Sequence, residues 1–243
     1  IKKLSSAIDR INKQVQKIEL LRKFKYKERI SWYIEGPFDT SYSLAILNRN
    51  FSLAMNNLKD NVFLYCTDGL ADYEPDPKFL SNNTIINDLY RKGLRKEEGI
   101  YITTRNLYPP RVNDMKGAFK LLHSYGWEES EFPQEWVENF NSNLNAISVM
   151  SNQVKKTLID NGVTLPICVA PLGVDHIKDV KPSSEFLVNA KQYKILHISS
   201  CFPRKGIDIL LKAFSNAFNI YDDVTLIIKT FKNPHNDIDF ILS

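Results

Sequence analysis

Short apolar segments alternate with amphipathic helical segments along most of this chain, and this alternation limits its fold more than any other feature. Ser151 is placed to cap one of the helical segments, and Gly162 to end it. Strands separated by helices favour βαβ units, so we predict an α/β protein with a Rossmann-like parallel sheet and helices on both of its faces. The predicted strands are residues 30–34, 61–66, 100–104, 119–123, 146–150 and 166–170, and the helices are residues 43–55, 84–96 and 153–160.

A polar connection at residues 176–192 separates this part from a second α/β segment. In that segment the pattern predicts a strand at 193–198, a helix at 207–218 and a strand at 224–228. We therefore predict an N-terminal domain at 30–175, an interdomain linker at 176–192 and the first βαβ unit of a second Rossmann-like domain at 193–243. Because one βαβ unit cannot bury both faces of its sheet, we expect this second domain to be incomplete here.

The first 29 residues form a separate basic segment. They hold ten Lys/Arg and three Asp/Glu, a net charge of +7, whereas the rest of the chain holds 22 and 25, a net charge of −3. Apolar residues recur at spacings of three and four, which favours an amphipathic helix that packs on the protein. Helix pairing and contact with a membrane surface through Phe24 and Tyr26 are the alternatives. Since the chain begins with Ile1, we expect it to be a piece of a longer protein.

Composition argues against several other classes of protein. No apolar run reaches the roughly 18 residues of a membrane span, and charged residues interrupt the first apolar positions of any secretory signal. Three separated cysteines and four scattered histidines predict a reducing, cytoplasmic compartment and no disulfide or metal site. A dinucleotide fingerprint is absent, and we expect no specific binding of nucleic acid. Membrane association through residues 1–29 remains the alternative location.

The turn Cys201-Phe202-Pro203-Arg204-Lys205-Gly206 joins the strand and the helix of the second segment. It places two cations and a glycine where a helix begins, and helix N-termini offer free N–H groups and a partial positive charge. We therefore predict a site for a phosphate or diphosphate. A solvated basic turn is the alternative.

Several residues of the first segment are candidates for ligand contact at the carboxyl ends of predicted strands, where open α/β sheets bind ligands. A tryptophan face suits a sugar ring and carboxylates accept hydrogen bonds from hydroxyls, although Trp127, Glu128 and Glu129 would also suit a helix N-terminus. Gly36 is either a site of close ligand approach or a turn glycine, and Arg111 either binds an acceptor phosphate or is solvated. His123 is either a reactive group or a core histidine.

Five motifs follow one another along residues 30–231. They are Gly36-Pro37-Phe38 with Tyr42-Ser43-Leu44-Ala45 and Asn48-Arg49; Trp127-Glu128 with Pro133, Trp136 and Val137; Val149-Met150-Ser151-Asn152-Gln153-Val154-Lys155; Pro171-Leu172-Gly173-Val174-Asp175; and Arg204-Lys205-Gly206 with Leu210-Leu211-Lys212-Ala213-Phe214. In order and spacing they resemble the GT-B-fold retaining glycosyltransferases of family four, often headed "glycosyl transferases group 1". The resemblance does not extend to residues 1–29.

This resemblance implies transfer of a sugar, with retention, from a nucleotide-sugar donor to a glycan, lipid-linked or protein acceptor, without metal or other cofactor. It implies donor-phosphate binding by Arg204, Lys205 and Gly206. Ser199 and Ser200 stand where the family often has an arginine, so either Arg204 takes its place or a serine hydroxyl binds the phosphate directly. It implies a catalytic role for His123, since the family often has a histidine near the reaction centre. From residue type and position we also predict a catalytic role for Glu128 and acceptor or ligand contacts by Gly36, Pro37, Arg111, Trp127 and Glu129.

Two further expectations bear on function. The family's donor-site glutamates would lie beyond Ser243, so we expect this chain alone to be catalytically inactive. A non-catalytic binding or scaffold module with the same fold, and a membrane-surface adaptor acting through residues 1–29, are the alternative functions.

Overall fold

The computed structural model describes Val15, Glu19 and residues 30–95, 100–174, 177–178, 180–183, 187–231 and 238–242. The helix predicted over residues 1–29 therefore lies outside the described residues, apart from two positions. Backbone contacts divide the chain into two compact units, with the boundary directly after Val174. The linker predicted at 176–192 stays a prediction.

The first unit contains a six-stranded, fully parallel sheet, which confirms the predicted α/β, Rossmann-like class. Its strands are largely apolar because helices that cover a parallel sheet bury the strands. Its strands are β1 (Ser31–Glu35), β2 (Asn61–Tyr65), β3 (Ile102–Arg105), β4 (Phe119–Tyr125), β5 (Ala146–Val149) and β6 (Ile167–Val169).

Residues 30–95 and 100–174 of this unit form five helices: α1 (Ser43–Asn57), α2 (Pro77–Asn82), α3 (Thr84–Leu94), α4 (Gln134–Asn143) and α5 (Asn152–Asp160). The sequence pattern predicted α1, α3 and α5 but not α2 or α4. Helix α5 begins as predicted, since the Ser151 hydroxyl accepts a hydrogen bond from the Val154 amide at 3.2 Å. Helix α2 begins at Pro77, and the Asp76 carboxylate accepts from the Lys78 amide at 2.8 Å.

Two apolar clusters hold these helices against the sheet. The first includes Ile34 and Leu64 of the strands and Leu89 of α3, and the second includes Ile147 of β5, Phe140 of α4 and Leu158 of α5. All six side chains are at most 2% exposed. The loops that follow the strands leave this packed sheet at its carboxyl edge, which is where open α/β sheets bind ligands.

The strand order β2-β1-β3-β4-β5-β6 reverses direction at β1. The chain leaves β1 to form β2 on one side and later returns to form β3 on the other side. The carboxyl ends of β1 and β3 are therefore the topological switch point of this sheet, the usual ligand position in such folds.

The second unit holds β7 (Tyr193–Ile198), α6 (Ile207–Ala217), β8 (Val224–Lys229) and α7 (Ile238–Leu242). Strands β7 and β8 pair in parallel, from Tyr193 opposite Val224 to Ile198 opposite Lys229. Cys201, Ile207 and Ile238 form its buried centre. The strand, helix and strand predicted after residue 193 are thus present at their expected positions.

Candidate functional site

The carboxyl ends of β1 and β3 carry a buried ion pair. Arg105 Nη2 lies 2.5 Å from Glu35 Oε2, and Arg105 Nε donates to the same oxygen at 2.8 Å. The two side chains are 4% and 11% exposed, respectively. Charges this deeply buried persist only when they are paired and hydrogen-bonded, so each of these groups depends on the other.

A chain of polar contacts extends from this pair towards solvent. Arg105 Nη1 donates at 2.6 Å both to Asp114 Oδ1 and to the Arg111 carbonyl, and Arg111 donates at 2.6 Å to the Thr67 hydroxyl. Arg111 also lies 3.5 Å from carboxylate oxygens of Asp72 and Asp114. We call this set the switch-point cluster: Glu35, Thr67, Asp72, Arg105, Arg111 and Asp114.

The cluster contains three carboxylates and two guanidinium groups. Burial raises the pKa of Asp114, but the hydrogen bond and charge of Arg105 outweigh it, so the pKa lies below its ordinary value. Hydrogen bonding by Thr67, and then by Tyr65 and Arg111, likewise lowers the pKa of Asp72. Both acids therefore stay ionised, and Arg111 is shared between them. The acceptor-phosphate contact predicted for Arg111 stays a prediction. Two carboxylates lie beside this guanidinium group, and they do not favour a bound anion.

Gly36 follows β1 directly and is buried together with Pro37. A Cβ atom at Gly36 would lie 2.3 Å from Asn48 Nδ2 and 2.7 Å from the Asn106 carbonyl oxygen. That amide nitrogen donates to the carbonyls of Pro37 at 2.9 Å and Asn106 at 2.8 Å. The glycine thus makes room for the protein's own Asn48, and its contact with an acceptor stays a prediction.

The loop after β4 forms an open cavity of about 400 Å³, lined by Trp127, Glu129, Ser130, Glu131, Phe132 and Pro133. Trp127 Nε1 donates to the Glu131 carbonyl at 2.8 Å. The indole packs edge-on against Phe132 at 5.0 Å and against Trp136 at 5.6 Å between ring centroids. Trp127 and Glu129 therefore share one cavity, whereas Glu128 is exposed and outside its lining. The ligand contacts predicted for all three residues stay predictions.

His123 lies within β4 and is only 1% exposed. Its Nδ1 is 2.8 Å from the Thr104 hydroxyl, and its ring stacks on Phe51 with centroids 4.4 Å apart. Burial lowers the pKa of His123 to about 3, so the imidazole is neutral near pH 7. The structure thus places this residue in the core, and its predicted contact with a reaction centre stays a prediction.

The basic turn of the second unit lies between β7 and α6. Arg204 and Lys205 are exposed, and Gly206 adopts a left-handed conformation with φ 65° directly before α6. The Ser199 hydroxyl accepts from the Cys201 amide at 3.0 Å and contacts His197 Nε2 at 2.8 Å. Local contacts thus occupy Ser199, and Ser200 follows it in the same loop.

The sequence patterns did not reveal the Glu35–Arg105 pair. A signal was present, because these oppositely charged residues directly follow the predicted strands 30–34 and 100–104. If the two strands were neighbours, their carboxyl ends would bring the charges together. Neighbouring position cannot be read from the strand pattern alone, since β2 intervenes in sequence between β1 and β3.

Among the described residues, no group of three or more His, Cys, Asp or Glu side chains is arranged to hold a metal ion. Within the same part of the chain, no helix combines the length and apolar character needed to cross a membrane. Comparison with protein-family models, with curated proteins and with solved structures returned no match to this chain.

Proposed function

We propose that this chain is part of a retaining, metal-independent glycosyltransferase that moves a sugar from a nucleotide-sugar donor to an acceptor hydroxyl. The observation that carries the proposal is the cavity beside Trp127, at the carboxyl edge of a parallel sheet. An aromatic face packs against the C–H face of a sugar ring, and nearby carboxylates accept hydrogen bonds from its hydroxyls. The proposal also places the enzyme in the cytoplasm.

The second unit supports the donor side of the proposal. A nucleoside diphosphate is the leaving group of such a transfer, and fixed cations stabilise the charge that develops on it. Lys205 and Arg204 supply two exposed cations in the turn before α6, and the N-terminal amides of α6 add a partial positive charge. In this proposal Lys205 binds the donor diphosphate.

Calorimetry with UDP and GDP tests this role. Lys205→Ala is compared with Lys212→Ala, which removes the same charge from an exposed position further along α6. We expect Lys205→Ala to weaken diphosphate binding about 10- to 150-fold, the range for a hydrogen bond to a charged group, and Lys212→Ala to change it little. Absence of binding to either nucleotide, or equal effects of the two variants, would contradict the proposal.

A non-catalytic saccharide-binding module is the second candidate. The burial of His123, the residue predicted to act at the reaction centre, favours it. Such a module would bind saccharides at the Trp127 cavity and show no affinity for UDP or GDP, so the same titrations separate the two functions. The membrane-adaptor alternative depends on residues 1–29, of which the structure describes only Val15 and Glu19.

A further inference from the structure

The cavity beside Trp127 lies in a strongly acidic part of the chain. Glu129 and Glu131 line it, and its other lining residues are neutral. No Lys or Arg occurs from Leu121 to Val154, whereas this stretch contains Glu128, Glu129, Glu131, Glu135 and Glu138. This stretch of chain therefore carries negative charge only, and such charge disfavours an anion bound close to it.

One local feature acts in the opposite direction. Pro133 lines the cavity and directly precedes α4, and a helix N-terminus carries roughly half a positive elementary charge. Glu129 and Glu131 carry two full negative charges at the cavity wall. The carboxylates therefore outweigh the helix dipole, and the cavity is net negative.

The aromatic wall of the cavity is fixed in orientation. The hydrogen bond from Trp127 Nε1 to the Glu131 carbonyl holds the indole, and Phe132 and Trp136 pack against it edge-on. A preformed aromatic surface loses little conformational entropy on binding. The same hydrogen bond ties the Trp127 ring to the segment that carries the acidic side chains.

We propose that this cavity accepts a neutral saccharide, and that Glu129 and Glu131 discriminate against saccharides bearing a carboxylate or phosphate. This rests on the proposed function and names the class of its acceptor. The two carboxylates accept hydrogen bonds from ring hydroxyls. They also repel a carboxylate or phosphate of the saccharide that is held within a few ångströms of them. Discrimination of about 10-fold at low salt is the size expected for two exposed charges, and salt reduces it.

Ligand-observed NMR titration tests the proposal with methyl glycosides of glucose, galactose and mannose, each paired with its uronate. For wild type we expect at least one neutral glycoside to bind about 10-fold more tightly than its uronate at low salt. The double variant Glu129→Gln/Glu131→Gln should reduce that ratio to about twofold. Glu135→Gln/Glu138→Gln is the matched control, since it removes two exposed charges of α4 outside the cavity lining and should reduce the ratio much less than the cavity variant does.

Three results would overturn the inference. They are no binding of any neutral glycoside, binding of each uronate as tight as that of its neutral glycoside, or an equal change of the affinity ratio in the cavity variant and in the control variant. Trp127→Ala, with folding checked by circular dichroism, should remove glycoside binding. Glutamine variants at exposed positions are expected to fold, so the selectivity can be measured even if the Trp127→Ala variant does not fold. Selective glycoside binding without affinity for UDP or GDP would count against sugar transfer while leaving the selectivity inference intact.

Discussion

Arg105 makes the buried ion pair at the carboxyl edge of the sheet. It connects Glu35 of β1 to Asp114, and its side chain is 4% exposed. We expect Arg105→Ala to lower the free energy of unfolding by about 3–5 kcal/mol, because Glu35 would keep a buried charge after losing its ion pair with Arg105. Urea unfolding followed by tryptophan emission measures this in the first unit, which contains all three tryptophans.

The exposed Lys156–Asp160 pair of α5 provides the control. Its side chains are 72% and 54% exposed, so Lys156→Ala should cost no more than about 0.5 kcal/mol. A loss of less than about 1 kcal/mol for Arg105→Ala would show that the buried pair is not needed for stability.

Gly36 is required by the packing of Asn48. Gly36→Ala would place a Cβ atom 2.3 Å from Asn48 Nδ2, so the amide must move and lose hydrogen bonds. We expect a loss of about 1–3 kcal/mol in the free energy of unfolding, measured by urea titration. A Cβ at Gly173 meets nothing within 4 Å, so Gly173→Ala should stay within about 0.5 kcal/mol of wild type. Equal stability of the two variants would show that the packing of Asn48 does not require a glycine at position 36.

Among the elements, α5 shows how a local signal in the sequence fixes a helix boundary. Ser151→Ala removes the acceptor for the Val154 amide and should lower the free energy of unfolding by about 1 kcal/mol. Ser151→Asp keeps a capping oxygen and should stay close to wild type. If the two variants were equally stable under urea, the side-chain cap would contribute nothing to α5.

The elements also show which features a sequence reveals. The strands of the sheet were predictable because continuous apolar runs are typical of buried parallel strands. Helix α2 spans only Pro77–Asn82 and has no buried residue, so it presents no apolar stripe to detect. Helix α4 buries only Val137 and Phe140, and its many asparagine and glutamate residues obscure the period.

The candidate site was predictable only where residues close in sequence are close in space. Trp127 and Glu129 line one cavity because a single loop carries both. The contact between Glu35 and Arg105 spans 70 residues, and the order of the strands decides it. The deep burial of His123 depends on Phe51 of α1, which the pattern of β4 does not contain.

At the scale of the whole molecule, the groups with shifted pKa values determine how stability varies with pH. Asp72 and Asp114 have lowered pKa values, so their contribution is present above the ordinary carboxyl pKa of about 3.9 and is lost as pH falls through their folded values. His123 acts in a different window. Burial lowers its pKa from 6.5 to about 3, so between these values the unfolded chain binds a proton that the folded protein does not.

Stability must therefore fall as pH falls from 6.5, by at most about 1.4 kcal/mol per pH unit from His123. Between pH 6.5 and 4.5 the two aspartates contribute little, so this interval isolates the histidine. His123→Asn removes the titration and keeps an atom in place of Nδ1, the partner of Thr104. Wild type should lose about 1–3 kcal/mol more than this variant across the interval, measured by urea unfolding with tryptophan emission. The control variant His197→Gln changes a histidine of the second unit and should follow wild type. Parallel pH profiles for wild type and His123→Asn would mean that His123 is protonated in the folded protein.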